Sequence, residues 1–140
     1  MIPVRSWPYA TSVSTPGASD EARIAAANAY IEALVTHQAD AVPFTPECVR
    51  IEQGVKTGFS GDHLRRSLNN GPQFRLIAAA SNRQFRVEGD DVVASFVIET
   101  KAKVAGWRVI AKVDEKFRIP ADDPRIHHIR AIFVPKLARA

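Results

Sequence analysis

One cysteine in 140 residues, Cys48, excludes both a disulfide framework and a thiolate metal cluster. His127 and His128 are adjacent and lack the HxxxH or HxH spacing that lets two imidazoles share an ion, so no metal is expected. No apolar run approaches the ~20 residues needed to cross a bilayer, and no membrane partner is expected. The start of the chain lacks a charged segment followed by an apolar stretch and a cleavage signal, so the expected location is a reducing cytoplasm. There is no glycine-rich phosphate loop and no RNA-binding aromatic motif. Lys and Arg exceed Asp and Glu by 19 to 15, a net charge of +4, but acids such as Glu99 and Asp114 lie among the bases. That mixture reads as a solvated sheet face, and no nucleic-acid partner is expected.

What the chain does have is enough apolar sequence, 46% of residues, for the core of one domain. Residues 1–18, with Pro3, Pro8, Pro16 and a Ser/Thr-rich stretch, are expected to form a loosely ordered N-terminal arm. Trp7 and Tyr9 of that arm are candidates to pack on the body or over a pocket mouth. Residues 19–140 form the folded domain. Ser19 or Asp20 caps a first helix whose apolar stripe is Ile24, Ala27, Ile31, Leu34 and Val35, with His37 in its last turn. Pro43 and Pro46 limit any second helix through Phe44 to a turn or two, and Val49 to Gln53 reads as a short extended segment. Ser60 or Gly61 starts another helix, with Leu64 and Leu68 on one side, and Asn69-Asn70-Gly71-Pro72 ends it.

From there the pattern changes to period two. Phe74 to Val87 reads as a long strand whose alternation slips between Ala78 and Arg83, which predicts a bulge. Gly89-Asp90-Asp91 turns the chain, and Val92, Ala94, Phe96, Ile98, Thr100, Ala102 and Val104 then share an inward face. Gly106 turns it into a strand from Trp107 to Ile119, and the segment from Pro120 to Pro124 turns it again. His127, Ile129, Ala131 and Phe133 share one face of the last strand. Helices followed by four long antiparallel strands predict an α+β fold. Strands this long twist and curl, so the N-terminal helices should close a curved antiparallel sheet around a conical cavity. On the outer face, Val93, Val97, Ile110, Ile126, Ile132 and Val134 predict a two-fold homodimer.

Three residues are candidates for chemistry. On the strand ending at Ile119, Glu115 is the one ionisable group on a face otherwise made of Trp107, Val109, Ala111, Val113, Phe117 and Ile119. A buried carboxyl must be paired or protonated. His127, Arg50 and Arg65 are candidate partners. A protonated Glu115 would instead be a strong hydrogen-bond donor. Tyr30 stands at the edge of the first helix's stripe, where a tyrosine packs its ring inside and offers its hydroxyl to a partner. Glu52 ends the short extended segment just before Gln53-Gly54, in reach of Arg50 or of a pocket where it would act as a base.

These segments together resemble the NTF2-like superfamily, in its SnoaL-like and ketosteroid isomerase-like branch, over residues 27–133. Tyr30-Ile31-Glu32-Ala33-Leu34 is similar to the helix carrying that enzyme's oxyanion tyrosine. Arg50-Ile51-Glu52-Gln53 is similar to the segment of its general base, an aspartate there. Glu115-Lys116-Phe117-Arg118 resembles an Asp-His-Phe-Arg segment bearing the neutral acid, and Ile129-Arg130-Ala131-Ile132-Phe133 resembles a pocket-lining Met-Arg-Ala-Leu-Phe stretch. The resemblance implies a cystatin/NTF2-like fold. It also implies a cofactor-free proton transfer on an apolar polycyclic or terpenoid ketone, with Glu52 as base and Tyr30 and protonated Glu115 as oxyanion donors. Phe44, Phe59, Leu64, Leu68, Phe96, Phe117, His127, Ile129, Ala131 and Phe133 would line the pocket. The chain departs from the pattern in using two glutamates where the family has aspartates. The Tyr/His/Asp set of the related dehydratases is not evident, and the Asp-Arg-Asp relay of the epoxide hydrolases is missing from the strands where it would sit. The alternative is a non-catalytic protein that binds an apolar small molecule in the same pocket.

Overall fold

The computed structural model describes residues 17–139; Trp7 and Tyr9 and most of the expected arm lie outside them. Ser19 caps helix α1 (Asp20–Thr36), its hydroxyl accepting from the Ala22 amide at 3.1 Å, and Asp20 and Glu21 sit at the positive end of the helix dipole. One face of α1 buries Ala27, Tyr30, Ile31 and Leu34. Arg23 is buried with them and donates to the carbonyls of Ile119 and Gly89, both at 2.6 Å, which clamps the start of α1 to two turns of the sheet. His37 ends the helix in the left-handed region, its N–H donating to the Ala33 carbonyl.

Strand β1 (Phe44–Glu52) and the short β2 (Val55–Gly58) form a hairpin turned at Gln53 and Gly54, both with positive φ. Helix α2 (Gly61–Asn70) follows, capped by Ser60 and burying Leu64 and Leu68 against β1. Gly58 lets it lie close: a Cβ there would press on Leu64 and stand 2.9 Å from the Arg50 Cβ. Strands β3 (Ile77–Glu88), β4 (Asp91–Val104), β5 (Trp107–Arg118) and β6 (Ile126–Arg139) complete one six-stranded sheet in the order β2-β1-β6-β5-β4-β3. The sheet is curved and unclosed, with both helices packed on it. No described helix is long and apolar enough to cross a membrane.

Several expectations are corrected. The sheet is mixed, because β1 runs parallel to β6. The segment through Phe44, expected to hold at most a turn or two of helix, is strand, so the extended run expected from Val49 begins at Phe44; Pro46 lies where the ladder to β6 breaks between Phe44 and Val49, so its missing N–H is not needed. Phe74 belongs to a 3₁₀ turn (Pro72–Leu76) rather than to β3. Ile126, expected on the outer face, is fully buried, whereas Ile132 and Val134 are 58% and 59% exposed there. The expected bulge is present, with the β3–β4 register shifting between Ser81 and Gln84 and Asn82 at φ 53°.

Candidate active site

The alternation along β5 determines where Glu115 points. Val113, Glu115, Phe117 and Ile119 are buried, while Lys112, Asp114, Lys116 and Arg118 are exposed. Across the ladder Glu115 faces Ala94 on β4 and Ala131 on β6. Two alanines beside a long side chain leave room above the sheet, and a cavity of about 250 Å³ opens there. Its wall is largely apolar, from Leu34 of α1, Phe74, Ile77, Phe96, Ile98, Ala111, Val113, Ala131 and Phe133. Tyr30, Glu52, Glu115 and Gln73 supply its polar groups.

Arg50 organises the polar side. It is 1% exposed and donates from Nη1 to the Tyr30 hydroxyl at 3.2 Å, from Nε to Thr57 Oγ1 at 3.1 Å, and from Nη2 to the Thr57 carbonyl and Ser67 Oγ. Its guanidinium also stacks over Phe74, 5.2 Å from the ring centroid. The Thr57 hydroxyl donates in turn to Glu52 Oε1 at 2.8 Å, and the same carboxylate oxygen lies 3.7 Å from Arg50 Nε. The carboxylate is therefore fixed at the cavity wall by one hydrogen bond and one nearby cation.

Glu115 is 3% exposed and makes no ion pair or side-chain hydrogen bond among the described residues. Burial first, then the Glu52 carboxylate, push its carboxyl up to about 8 against the opposing pull of Arg50. Burial and Glu115 keep the Tyr30 phenol well above its ordinary range, again against Arg50. Both groups hold their protons at neutral pH. Because Arg50 donates to the Tyr30 oxygen, the phenolic proton is left for another acceptor. The Tyr30 ring is fixed edge-on by Phe117 at 5.4 Å and Phe44 at 6.1 Å. One cavity thus holds two neutral donors, one anchored carboxylate and the Gln73 amide on otherwise apolar walls.

The model of a domain of unknown function, DUF8021, matches residues 17–133. The chain belongs to the DUF8021 family. No curated protein matches this DUF8021 chain significantly in sequence. Among solved structures, an LEH-like epoxide hydrolase from M. tuberculosis is 20% identical with a TM-score of 0.65, the alignment covering 81% of this chain and 84% of that one. An NTF2-like protein from Cytophaga hutchinsonii is 11% identical with a TM-score of 0.65, over 82% and 98% of the two chains. A de novo designed protein with a curved β-sheet is 11% identical with a TM-score of 0.66, over 83% and 88%. The fold of this chain is NTF2-like.

Of the residues singled out in the sequence, Tyr30, Glu52, Glu115, Phe96, Ala131 and Phe133 meet at the cavity. The others expected to line it do not. Phe44, Leu64, Leu68, Phe117 and Ile129 are buried in the hydrophobic core, outside the cavity lining. Phe59 is 59% exposed, packed between His63 and Lys56. His127 turns to Asp123, 3.1 Å away, and Arg65 to the Val42 carbonyl, so neither pairs with Glu115. The DUF8021 residue that sequence reasoning underrated is Arg50. Its signal is the period-two set Cys48, Arg50 and Glu52, but Val49 and Ile51 between them look like the inward face. The described residues hold no cluster of three or more His, Cys, Asp or Glu placed for a metal ion.

Proposed function

We propose that this DUF8021 domain is a ketosteroid isomerase-like proton-transfer enzyme acting on an apolar ketone. Glu52 removes a proton from the carbon alpha to the carbonyl and returns it at the gamma carbon, so the double bond moves into conjugation and no atom is gained or lost. The dienolate oxygen formed between the two steps accepts hydrogen bonds from Tyr30 and protonated Glu115. Such donors are each worth roughly 10²–10³ in rate when aimed at developing charge in a dry site. The observation that carries this reading is Glu115: a buried carboxyl, its pKa raised by burial, with no side-chain partner among the described residues, on the wall of an apolar cavity that also holds a tyrosine hydroxyl and a carboxylate. The cavity, about 250 Å³, is below the ~300–1,000 Å³ usual for ligand pockets, which favours a one- or two-ring terpenoid ketone over a four-ring steroid.

An ultraviolet assay for conjugated enone formation tests it, over β,γ-unsaturated ketones from cyclohexenone to a steroid. The wild type should produce the absorbance and Glu52→Gln should not, while binding of the ketone is retained. Saturable binding without turnover in the wild type would instead make the protein a carrier of apolar small molecules.

Arg50 supports one other reaction. A cation 3.7 Å from Glu52, whose charge also acts on Glu115, suits epoxide opening as well, with Glu52 taking a proton from water, the water oxygen attacking carbon as the C–O bond breaks, and Glu115 protonating the epoxide oxygen. The fold neighbour from M. tuberculosis is an LEH-like epoxide hydrolase. Diol formation from a terpene epoxide, with no enone from any ketone, would select this reaction.

A further inference from the structure

The outer face of the sheet carries a second cluster, one residue out of phase with the cavity. Lys116 and Arg118 alternate with Glu115 and Phe117 on β5, and β6 places Arg130 directly opposite Lys116 and His128 directly opposite Arg118. Like charges facing each other across a ladder are unfavourable. Asp91 of β4, opposite Arg118 on the other side, lies 3.8 Å from Arg118 Nε and offsets one of these charges. Glu88 of β3, across the turn from Asp91, is held by Arg86. Lys116 and Arg130 are exposed and make no ion pair among the described residues. Asp91, Lys116, Arg118, His128 and Arg130 together line a groove of about 400 Å³.

Lys116, Arg118 and Arg130 line the groove with Asp91, and Glu88, which also feels Lys116, is already paired with Arg86, so the groove keeps a net positive charge. We propose that it binds a phosphate group as its dianion, either inorganic phosphate or the phosphate of a small phosphomonoester. The guanidiniums of Arg118 and Arg130 supply forked donors for phosphate oxygens, and Lys116 supplies a point charge between the strands. A dianion in the groove turns the facing cations Lys116 and Arg130 into a bridged pair. Partial burial, then Arg130 and Arg118, hold the His128 imidazole below its ordinary range, with Asp91 opposing. The bound anion therefore has a built-in reporter, because its charge favours protonation of His128. The groove and the cavity lie on opposite faces of the same strands, so this site stands or falls independently of the enzymatic reading.

The His128 ring protons, followed by NMR at constant ionic strength, read the site directly. Inorganic phosphate and phenyl phosphate are the two probes. Each should give saturable shifts and raise the His128 titration midpoint, and Arg130→Gln or Lys116→Gln should weaken binding by about tenfold or more. Glu115→Gln, on the other face, should leave phosphate affinity unchanged. Equal affinity for the probes would point to the free ion, and tighter binding of phenyl phosphate to a phosphomonoester. Non-saturating shifts, an unmoved His128 midpoint, or full affinity in Arg130→Gln would overturn the proposal.

Discussion

Arg50 and Tyr30 meet at 3.2 Å, guanidinium to phenol oxygen, with 1% of each residue exposed. The contact ties β1 to α1 and orients the hydroxyl that borders the cavity. It also explains how an arginine can lie in the core: its donors go to Tyr30, Thr57 and Ser67, and its charge lies 3.7 Å from Glu52. A buried cation is tolerated when its hydrogen bonds are made, and removing it leaves its acceptors unpaired.

Arg50→Met should therefore destabilise the fold by about 2–4 kcal/mol, since it strips donors from four acceptors on Tyr30, Thr57 and Ser67 that cannot reach water freely. Arg50→Lys should recover only part of this, because an ammonium lacks the fork that spans Thr57 and Tyr30. Urea denaturation of the three proteins measures both differences.

Glu115 makes stability depend on pH. Its carboxyl titrates near 8 in the fold, against 4.5 as an ordinary glutamate. Between those values the native state holds a proton that the unfolded chain has released, so stability falls as pH rises. The slope reaches at most about 1.4 kcal/mol per pH unit. Below the window the contribution is fully present. Glu115→Gln should flatten the dependence between pH 5 and pH 8, in urea titrations run across roughly that range. In the same variant, any loss of turnover seen above pH 8 in the wild type should disappear, because an amide donates at every pH.

Ala111 lines the cavity on β5, opposite Ile98 and Pro135. Ala111→Phe should fill space the ligand needs and lower affinity for a cyclic ketone by about tenfold or more. Because the new ring enters a void rather than packed core, the melting temperature should shift by only a few degrees. Calorimetric titration beside a thermal scan separates the two effects.

Much of the sheet was legible because period two is a local signal. The strand from Trp107 exposed one charge on an apolar face, and that charge is the buried carboxyl of the site. The slip between Ala78 and Arg83 became the bulge at Asn82. What could not be read was non-local. The parallel pairing of β1 with β6 joins residues as distant in the chain as Phe44 and Ile126, and no local pattern encodes such a partner. The pairing also reversed the apparent faces of β1: Val49 and Ile51 look inward by hydrophobicity, yet Arg50 is the buried one. Phe44 and Phe117 were right as buried aromatics and misplaced as cavity wall, because alternation gives a face of the sheet and not where the helices cover it.

The central claim is that Glu52 moves a proton on a bound ketone, and proton exchange tests it without requiring the natural substrate. Proton NMR in D₂O would follow loss of the alpha-proton signal from a β,γ-unsaturated cyclohexenone, with wild type beside Glu52→Gln. The wild type should exchange that proton roughly 10²–10⁴-fold faster than the variant, with ketone affinity equal in the two. Equal exchange in both, or a wild type that binds the ketone and leaves its alpha proton in place, would contradict the account.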